Sequence, residues 1–215
     1  MESLEGGCVI VANGRFPSAE LPLRLLKEEK TIIAWDGAVK TLYEKGIHPD
    51  AIVGDLDSIP AGLRERYADR IHHVEDQEIN DLTKSVRFAH TQGYREVLIL
   101  GATGLREDHT LGNISLLMDY AHLFKRVEML SDYGLFTPIL ETTTFASYPG
   151  QQISIFVLYP EGEISTEGLR WPIRRRKLTS WWQGTLNEAL GDQFTVTLSP
   201  DCRVIIYREA SHTKE

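Results

Sequence analysis

The sequence predicts an α/β protein whose N-terminal part is a mostly parallel open sheet flanked by helices and whose C-terminal part is a small all-β sandwich. Three observations predict it. Short β-branched runs alternate with helically spaced apolar residues through the first two thirds, which is the pattern of a layered α/β sheet. From about residue 135 onward, strand-like runs follow one another with no helices between them, as in a small sandwich or barrel. The chain is 215 residues long, 42 % hydrophobic and 25 % charged, an ordinary globular composition with enough length to bury a real core.

In chain order the first strand spans 8–12 (CVIVA), and later ones span 32–35, 51–53, 71–74, 97–100 and 127–130. Helical spacing covers 21–29, 38–45, 81–92 and 113–124. The clearest helix is the third: Leu82, Val86 and Ala89 fall at i, i+4 and i+7, and Asn80 is placed to cap it. Beyond them, strands are expected at 135–140, 152–158, 163–165, 178–182, 194–198 and 203–208. Turn signals punctuate them at Pro149-Gly150, Pro160-Glu161-Gly162, Gly191-Asp192 and Pro200-Asp201. The expected domains are therefore 1–134 (α/β) and 135–215 (β).

Net charge is −8, from 23 Lys plus Arg against 31 Asp plus Glu. Polyanion binding needs a basic face, so a nucleic-acid partner is not expected. Two cysteines, Cys8 and Cys202, are too few for a disulfide framework or a zinc site and suit a reducing cytoplasm. No apolar run reaches 18 residues and the first residues, Met1-Glu2-Ser3-Leu4-Glu5, lack a basic start, so neither a membrane span nor a secretory signal is expected. Residues 135–215 carry 8 basic and 9 acidic side chains, which leaves 15 basic and 22 acidic in the α/β part. Some of that surplus sits at strand ends rather than on helix faces.

Strand ends matter because ligands of an open α/β sheet collect beyond the carboxyl ends of its strands. After 32–35 comes Asp36-Gly37-Ala38, and after 51–53 comes Gly54-Asp55-Leu56-Asp57-Ser58. In continued extended geometry Asp55 and Asp57 share a side about 7 Å apart. Mg²⁺ with nucleotide phosphates would relieve their repulsion; the competing reading is an Asx-turn. Residues 75–81 (EDQEIND) add Asp76 and place Asp81 at a helix start, where a carboxylate is favourable in any case. Lys84, one turn on, either reaches a phosphate or forms a solvated pair. Residues 101–113 (GATGLREDHTLGN) supply glycines that let backbone approach phosphate oxygens, Arg106 for bidentate charge, and Asp108 to hold a metal or orient His109. His109 has a structural alternative beside a helix start. No single segment is diagnostic, but a nucleotide-polyphosphate site with a divalent metal accounts for all of them together.

Taken in order and spacing, Asp36-Gly37-Ala38, Gly54-Asp55-Leu56-Asp57-Ser58, Asp76-Gln77-x-x-Asn80-Asp81-x-x-Lys84 and Gly101-Ala102-Thr103-Gly104-x-Arg106-x-Asp108-His109-x-x-x-Asn113 resemble the thiamine pyrophosphokinase family. Gly168-Leu169-Arg170-Trp171 and Thr185-Leu186-Asn187-Glu188 are more loosely similar to its β-domain motifs. Ala38 stands where the family has a second glycine, Leu105 where a glycine is common, Leu186 where it has serine and Asn80 where it has threonine.

The resemblance implies transfer of a pyrophosphoryl group from ATP to the hydroxyl of thiamine, giving thiamine diphosphate and AMP, by a homodimer with thiamine bound between subunits. It implies Mg²⁺ on Asp55, Asp57, Asp76 and Asp108. Arg106, Asp108 and His109 join the catalytic set, with Asp81 or Asp57 receiving the alcohol proton. Nucleotide binding falls to Asp36, Gly37, Gln77, Lys84, Gly101, Thr103, Gly104 and Asn113. Thiamine, a cation with flat rings, calls for an aromatic face, supplied by Trp171 and Trp182 with Thr185 and Asn187. Core packing is the alternative for these tryptophans and the favoured one for Trp181. The basic run Arg174-Arg175-Arg176-Lys177 reads as a solvated turn, with contact to phosphates across a dimer interface as its alternative. A hydroxymethylpterin pyrophosphokinase and a non-catalytic nucleotide- or thiamine-binding protein are the rival functions.

Overall fold

A computed structural model describes residues 4–29, 31–76 and 78–210. The chain groups into two compact units, one holding the described residues up to Leu116 with His122–Asp132, the other Leu117–Ala121 with Tyr133 onward.

The first unit runs β1 (Gly7–Val11), α1 (Glu20–Glu28), β2 (Ile32–Trp35), α2 (Val39–Glu44), β3 (Ala51–Gly54), α3 (Ala61–Arg66), β4 (Ile71–His73), α4 (Asp81–Thr91), β5 (Glu96–Leu100), α5 (Glu107–Tyr120) and β6 (Arg126–Leu130). The last four residues of α5 group with the second unit. Its strands lie in the order β6-β5-β1-β2-β3-β4, every pairing parallel. Residues Cys8–Val11 and Val97–Leu100 are buried almost completely, as central parallel strands covered on both faces must be. From β1 the chain builds outward through β2 to β4, then returns to place β5 on the other side of β1. That reversal creates a crevice beyond the ends of β1 and β5.

Most expected elements form within a residue or two of their expected bounds. The helix expected over 113–124 starts six residues earlier, at Glu107, so Asp108 and His109 belong to its first turn rather than to the preceding loop. The helix expected over 38–45 divides into a 3₁₀ turn, Asp36–Ala38, and α2. The short helix α3 was not expected. Asn80 caps α4 as expected, its Oδ1 accepting from the Thr83 backbone N–H at 2.9 Å. Asn80→Ala should lower stability by about 1 kcal/mol, read as a shift of the urea midpoint with unchanged slope.

The second unit contains β7 (Gly134–Ile139), β8 (Thr143–Ala146), β9 (Gln152–Tyr159), β10 (Ile164–Glu167), β11 (Asn187–Glu188), β12 (Gln193–Leu198) and β13 (Arg203–Glu209). An antiparallel set β11-β9-β13-β7 faces a three-stranded set β10-β12-β8. Ile153, Ile155, Val157, Val204 and Ile206 from the first pack with Phe145, Ile164, Phe194 and Val196 from the second, and the Phe145 and Phe194 rings stack at 5.2 Å. This is the sandwich the alternation predicts.

One expected strand is absent. Instead of a strand over 178–182, Trp181–Gly184 form a 3₁₀ turn closed by a capping box between Ser180 and Gln183. Reciprocal side-chain bonds satisfy the turn's free backbone groups locally, which outweighs the β preference of the tryptophans. Trp181 meets Phe156 edge-on at 5.8 Å, in keeping with packing rather than binding, and Trp182 is 73 % exposed.

Candidate active site

A cavity of about 460 Å³ opens at the carboxyl ends of the parallel strands. The chain leaving β1 contributes Asn13 and Gly14, the end of β2 and the turn after it Trp35 and Asp36, and the turn after β3 Asp55 and Ser58. Ile79, Asn80, Asp81 and Lys84 come from the start of α4, and Ala102, Thr103, Leu105 and Arg106 from the turn after β5. His109, Thr110 and Asn113 come from α5.

The crevice is held by backbone. Gly14 N–H donates to Gly101 O at 2.6 Å and Arg15 N–H to Thr103 O at 2.8 Å, so the chain leaving β1 is zipped to the chain leaving β5. Gly101 sits at φ +67°, and a Cβ there would lie 2.8 Å from Ala12 O; only glycine allows both the conformation and the approach. Arg106, His109, Thr110 and Asn113 share one face of the helix start, and Asn113 Nδ2 ties that face to the turn by donating to Ala102 O at 2.8 Å.

Asp36 is buried, 5 % exposed. Its Oδ1 accepts from Gly37 N–H at 2.6 Å and its Oδ2 from Leu56 N–H at 2.9 Å. Gly54 makes room for this carboxyl, because a Cβ at 54 would sit 2.7 Å from Asp36 Cγ. Burial pushes the Asp36 pKa up, the two N–H donors pull against it, and the neighbouring Asp55 and Asp81 add to the rise. Asp55 is held below the usual range, first by the Asp57 N–H and also by a hydrogen bond from Asp36 and by Lys84. The two carboxyl pKa values are thus pushed apart, Asp36 upward and Asp55 downward. Lys84, its side chain only 3 % exposed, donates from Nζ to Asp81 Oδ1 at 3.1 Å; the solvated-pair alternative does not apply to so buried an ammonium.

The structure brings Asp36, Asp55, Asp81, Lys84, Thr103, Arg106, His109 and Asn113 into one cavity wall. It does not bring Asp57, Asp76 or Asp108 there. Leu56 adopts φ +72°, which breaks the extended geometry that would have aligned Asp57 with Asp55. Asp57 N–H instead closes onto Asp55 Oδ1 at 3.3 Å, and Glu78 N–H onto Asp76 Oδ1 at 2.9 Å: local Asx-turns at both places. Asp108 pairs with Arg106, Nη2 to Oδ2 at 2.5 Å and Nε to Oδ1 at 3.1 Å. The guanidinium, with a further bond from His109 N–H, lowers the Asp108 pKa to about 2. Among the described residues no three of His, Cys, Asp or Glu are gathered to hold a metal ion, and of the set 55, 57, 76 and 108 only Asp55 lines the cavity. Gly37, Gly101 and Gly104 shape the crevice without lining the cavity. Gln77 lies outside the described residues.

Asn13 and Gly14 were missed because the end of β1 carries no charge; the strand-end rule applied to that strand too would have found them. Ala38 is accommodated without strain: its backbone is ordinary right-handed helix (φ −82°, ψ −17°) and its methyl is buried. Leu105 stands on the rim, 63 % exposed. Leu186 takes φ +57°, an uncommon conformation for a branched side chain.

A second cavity, about 300 Å³, lies wholly in the β unit and is lined by Trp171, Arg174, Arg176, Gln183, Thr185 and Asn187 among others. Asn187 clamps Trp171 at both backbone atoms, Oδ1 accepting from its N–H at 3.1 Å and Nδ2 donating to its carbonyl at 2.7 Å. Trp182 is not part of this wall.

Among the described residues no helix is long and apolar enough to cross a membrane. The family model "Thiamin pyrophosphokinase, catalytic domain" matches residues 23–129, and "Thiamin pyrophosphokinase, substrate-binding domain" matches 134–207. Thiamine pyrophosphokinase 1 of Oryza sativa subsp. japonica is 30 % identical over 174 residues, 73 % of this chain and 64 % of the rice protein, so the match falls short of two thirds of that relative's length. The solved thiamin pyrophosphokinase of Geobacillus thermodenitrificans superposes with a TM-score of 0.78 at 24 % identity, covering 96 % of this chain and 98 % of that one. That of Candida albicans does so with a TM-score of 0.81 at 18 % identity, covering 95 % and 90 %. At these identities the two structures speak to the fold. With both family models matching in order along a chain of this architecture, the protein belongs to the thiamin pyrophosphokinase family.

Proposed function

We propose that this chain is a thiamine pyrophosphokinase, moving the β,γ-pyrophosphoryl unit of ATP to the hydroxyl of thiamine and releasing AMP. The observation that carries the reading is the meeting, in one strand-end cavity, of Asp36 and Asp55, carboxyls shifted in opposite directions, with Lys84 and Arg106. Two close carboxyls and two cations suit a metal-bound polyphosphate and little else.

The donor set fits Mg²⁺, which takes oxygen ligands and commonly needs only one or two carboxylates beside phosphates and waters. Asp55 and Asp36 would hold it; Mg²⁺ there would supply charge neutralisation on the phosphoryl oxygens. Lys84 and Arg106 bind and orient phosphate, Arg106 exchanging Asp108 for a phosphate oxygen with the same bidentate geometry. Of the two candidate bases, Asp81 lines the cavity and Asp57 does not, so we assign the alcohol proton to Asp81. The thiamine oxygen bonds to the β-phosphorus, the bond from that phosphorus to the α–β bridging oxygen breaks, and AMP leaves with its electron pair. Positioning and electrostatics carry most of the acceleration in such transfers.

Thiamine's rings are assigned to Trp171, Thr185 and Asn187 in the β-unit cavity. Leu186, Leu190 and Trp182 are 74 %, 60 % and 73 % exposed, apolar side chains of the kind a second copy would cover in a homodimer. Cys8 and Cys202 are both free and buried, which suits the cytoplasm. Purified protein with ATP, Mg²⁺ and thiamine should yield AMP and thiamine diphosphate by ³¹P NMR; ADP as the nucleotide product, or ligand binding without AMP, would overturn the assignment.

A further inference from the structure

The β-unit cavity has an electrostatic character at odds with a simple thiamine pocket. Its wall contains Arg174 and Arg176 and no carboxylate, in a chain whose net charge is −8. The neighbouring acids are already engaged: Glu188 pairs with Arg170 at 3.3 Å and Glu163 with Arg175 at 3.2 Å. Among the described residues Arg174 and Arg176 form no ion pair.

The rim that presents them is built. Arg176 and Ile164 exchange two backbone hydrogen bonds of 3.0 Å, and Arg175 N–H donates to Ser165 Oγ at 2.9 Å. Arg175 takes φ +42°, a left-handed conformation rare in a non-glycine residue, and its side chain leaves toward Glu163 while its two neighbours line the cavity. On the adjoining wall, the Asn187 clamp fixes Trp171, and Arg170 lies over the Trp171 ring at 5.3 Å. A flat ring and a bidentate-capable cationic pair thus stand side by side in about 300 Å³.

Thiamine is a cation, and two unpaired guanidiniums beside its ring disfavour it. A diphosphate on the same scaffold makes the ligand a net anion and gives both arginines a partner. We infer that Arg174 and Arg176 form a diphosphate subsite, so that this cavity prefers thiamine diphosphate to thiamine. The inference rests on the proposed reaction for the identity of the ring.

The test is a titration of the full chain, followed by tryptophan fluorescence, with thiamine, thiamine diphosphate and inorganic pyrophosphate. Both arginines are exposed, so solvent screens the gain and about a tenfold tighter binding of thiamine diphosphate is expected at low ionic strength, shrinking as salt rises. The double change R174Q/R176Q should bring the two affinities within about twofold and weaken pyrophosphate, while R106Q, in the other cavity, should leave the preference standing. An equal affinity in the wild type, or a preference that survives R174Q/R176Q or vanishes with R106Q, overturns the inference. AMP formation by the wild type, measured separately, tests the reaction itself: no AMP with the arginine-dependent preference intact would sink the activity and not the subsite.

Discussion

Asp55→Asn is expected to lower kcat for AMP formation by about 10²- to 10³-fold, the scale on which preorganised electrostatic groups act. Asparagine keeps the shape at the end of β3 and removes the charge. It also removes the Asp55 carboxylate, one of the causes that hold the Asp36 pKa up. A raised carboxyl pKa stabilises the fold at low pH, and that contribution is lost as pH rises through the folded-state value. Asp55, whose pKa is lowered, contributes in the opposite sense, above the ordinary carboxylate range. Because protons compete with Mg²⁺ for these carboxyls, stabilisation by Mg²⁺ should grow as pH is raised from about 5 to about 8 in the wild type. In Asp55→Asn the gain in Tm with Mg²⁺ should be small and flat over that range. A variant that kept both its kcat and its pH-dependent Mg²⁺ response would remove Asp55 from the site.

Lys84→Met should reduce kcat/KM for ATP by a similar 10²- to 10³-fold, with a much smaller effect on thiamine binding. The ammonium is 3 % exposed and bonded to Asp81, and its charge helps hold Asp55 ionised. Methionine preserves the stem and volume and leaves three acids of the cavity without their buried cation. The stability cost should stay well below that of breaking a fully buried pair, because the Asp81 side chain is 42 % exposed and water can take over its hydrogen bond. Steady-state kinetics with each substrate varied in turn separate the two effects. An unchanged KM and kcat for ATP would return Lys84 to a purely structural role in the first turn of α4.

The candidate site was legible wherever its signal was a charged residue at a strand end. Asp36, Asp55, Asp81, Lys84 and Arg106 could all be picked out because parallel α/β sheets bind ligands at one edge, and the alternating pattern located that edge. Asn13 and Gly14 carried the same positional signal without a charge to draw attention. The early start of α5 also had a readable sign in Glu107 and Asp108, acids suited to a first helical turn. Ser180 and Gln183 held the capping-box spacing that turns 181–184 into a 3₁₀ segment. In both places the stronger-looking cue, a glycine-rich turn or a pair of tryptophans, pointed elsewhere.

By itself the sequence determined the class of fold, the succession of α/β and β segments, and a set of candidate residues for a polyphosphate, because hydrophobic period and residue chemistry are local properties of the chain. Only the tertiary structure decided which carboxylates converge. The left-handed turn at Leu56 folds the Asp57 N–H onto Asp55, Asp76 and Asp108 engage local partners, and Asp36 and Asp55 meet in one cavity from the ends of β2 and β3. Backbone conformation at a single residue and the register of neighbouring strands set those distances, and neither is written in the spacing of acids along the chain.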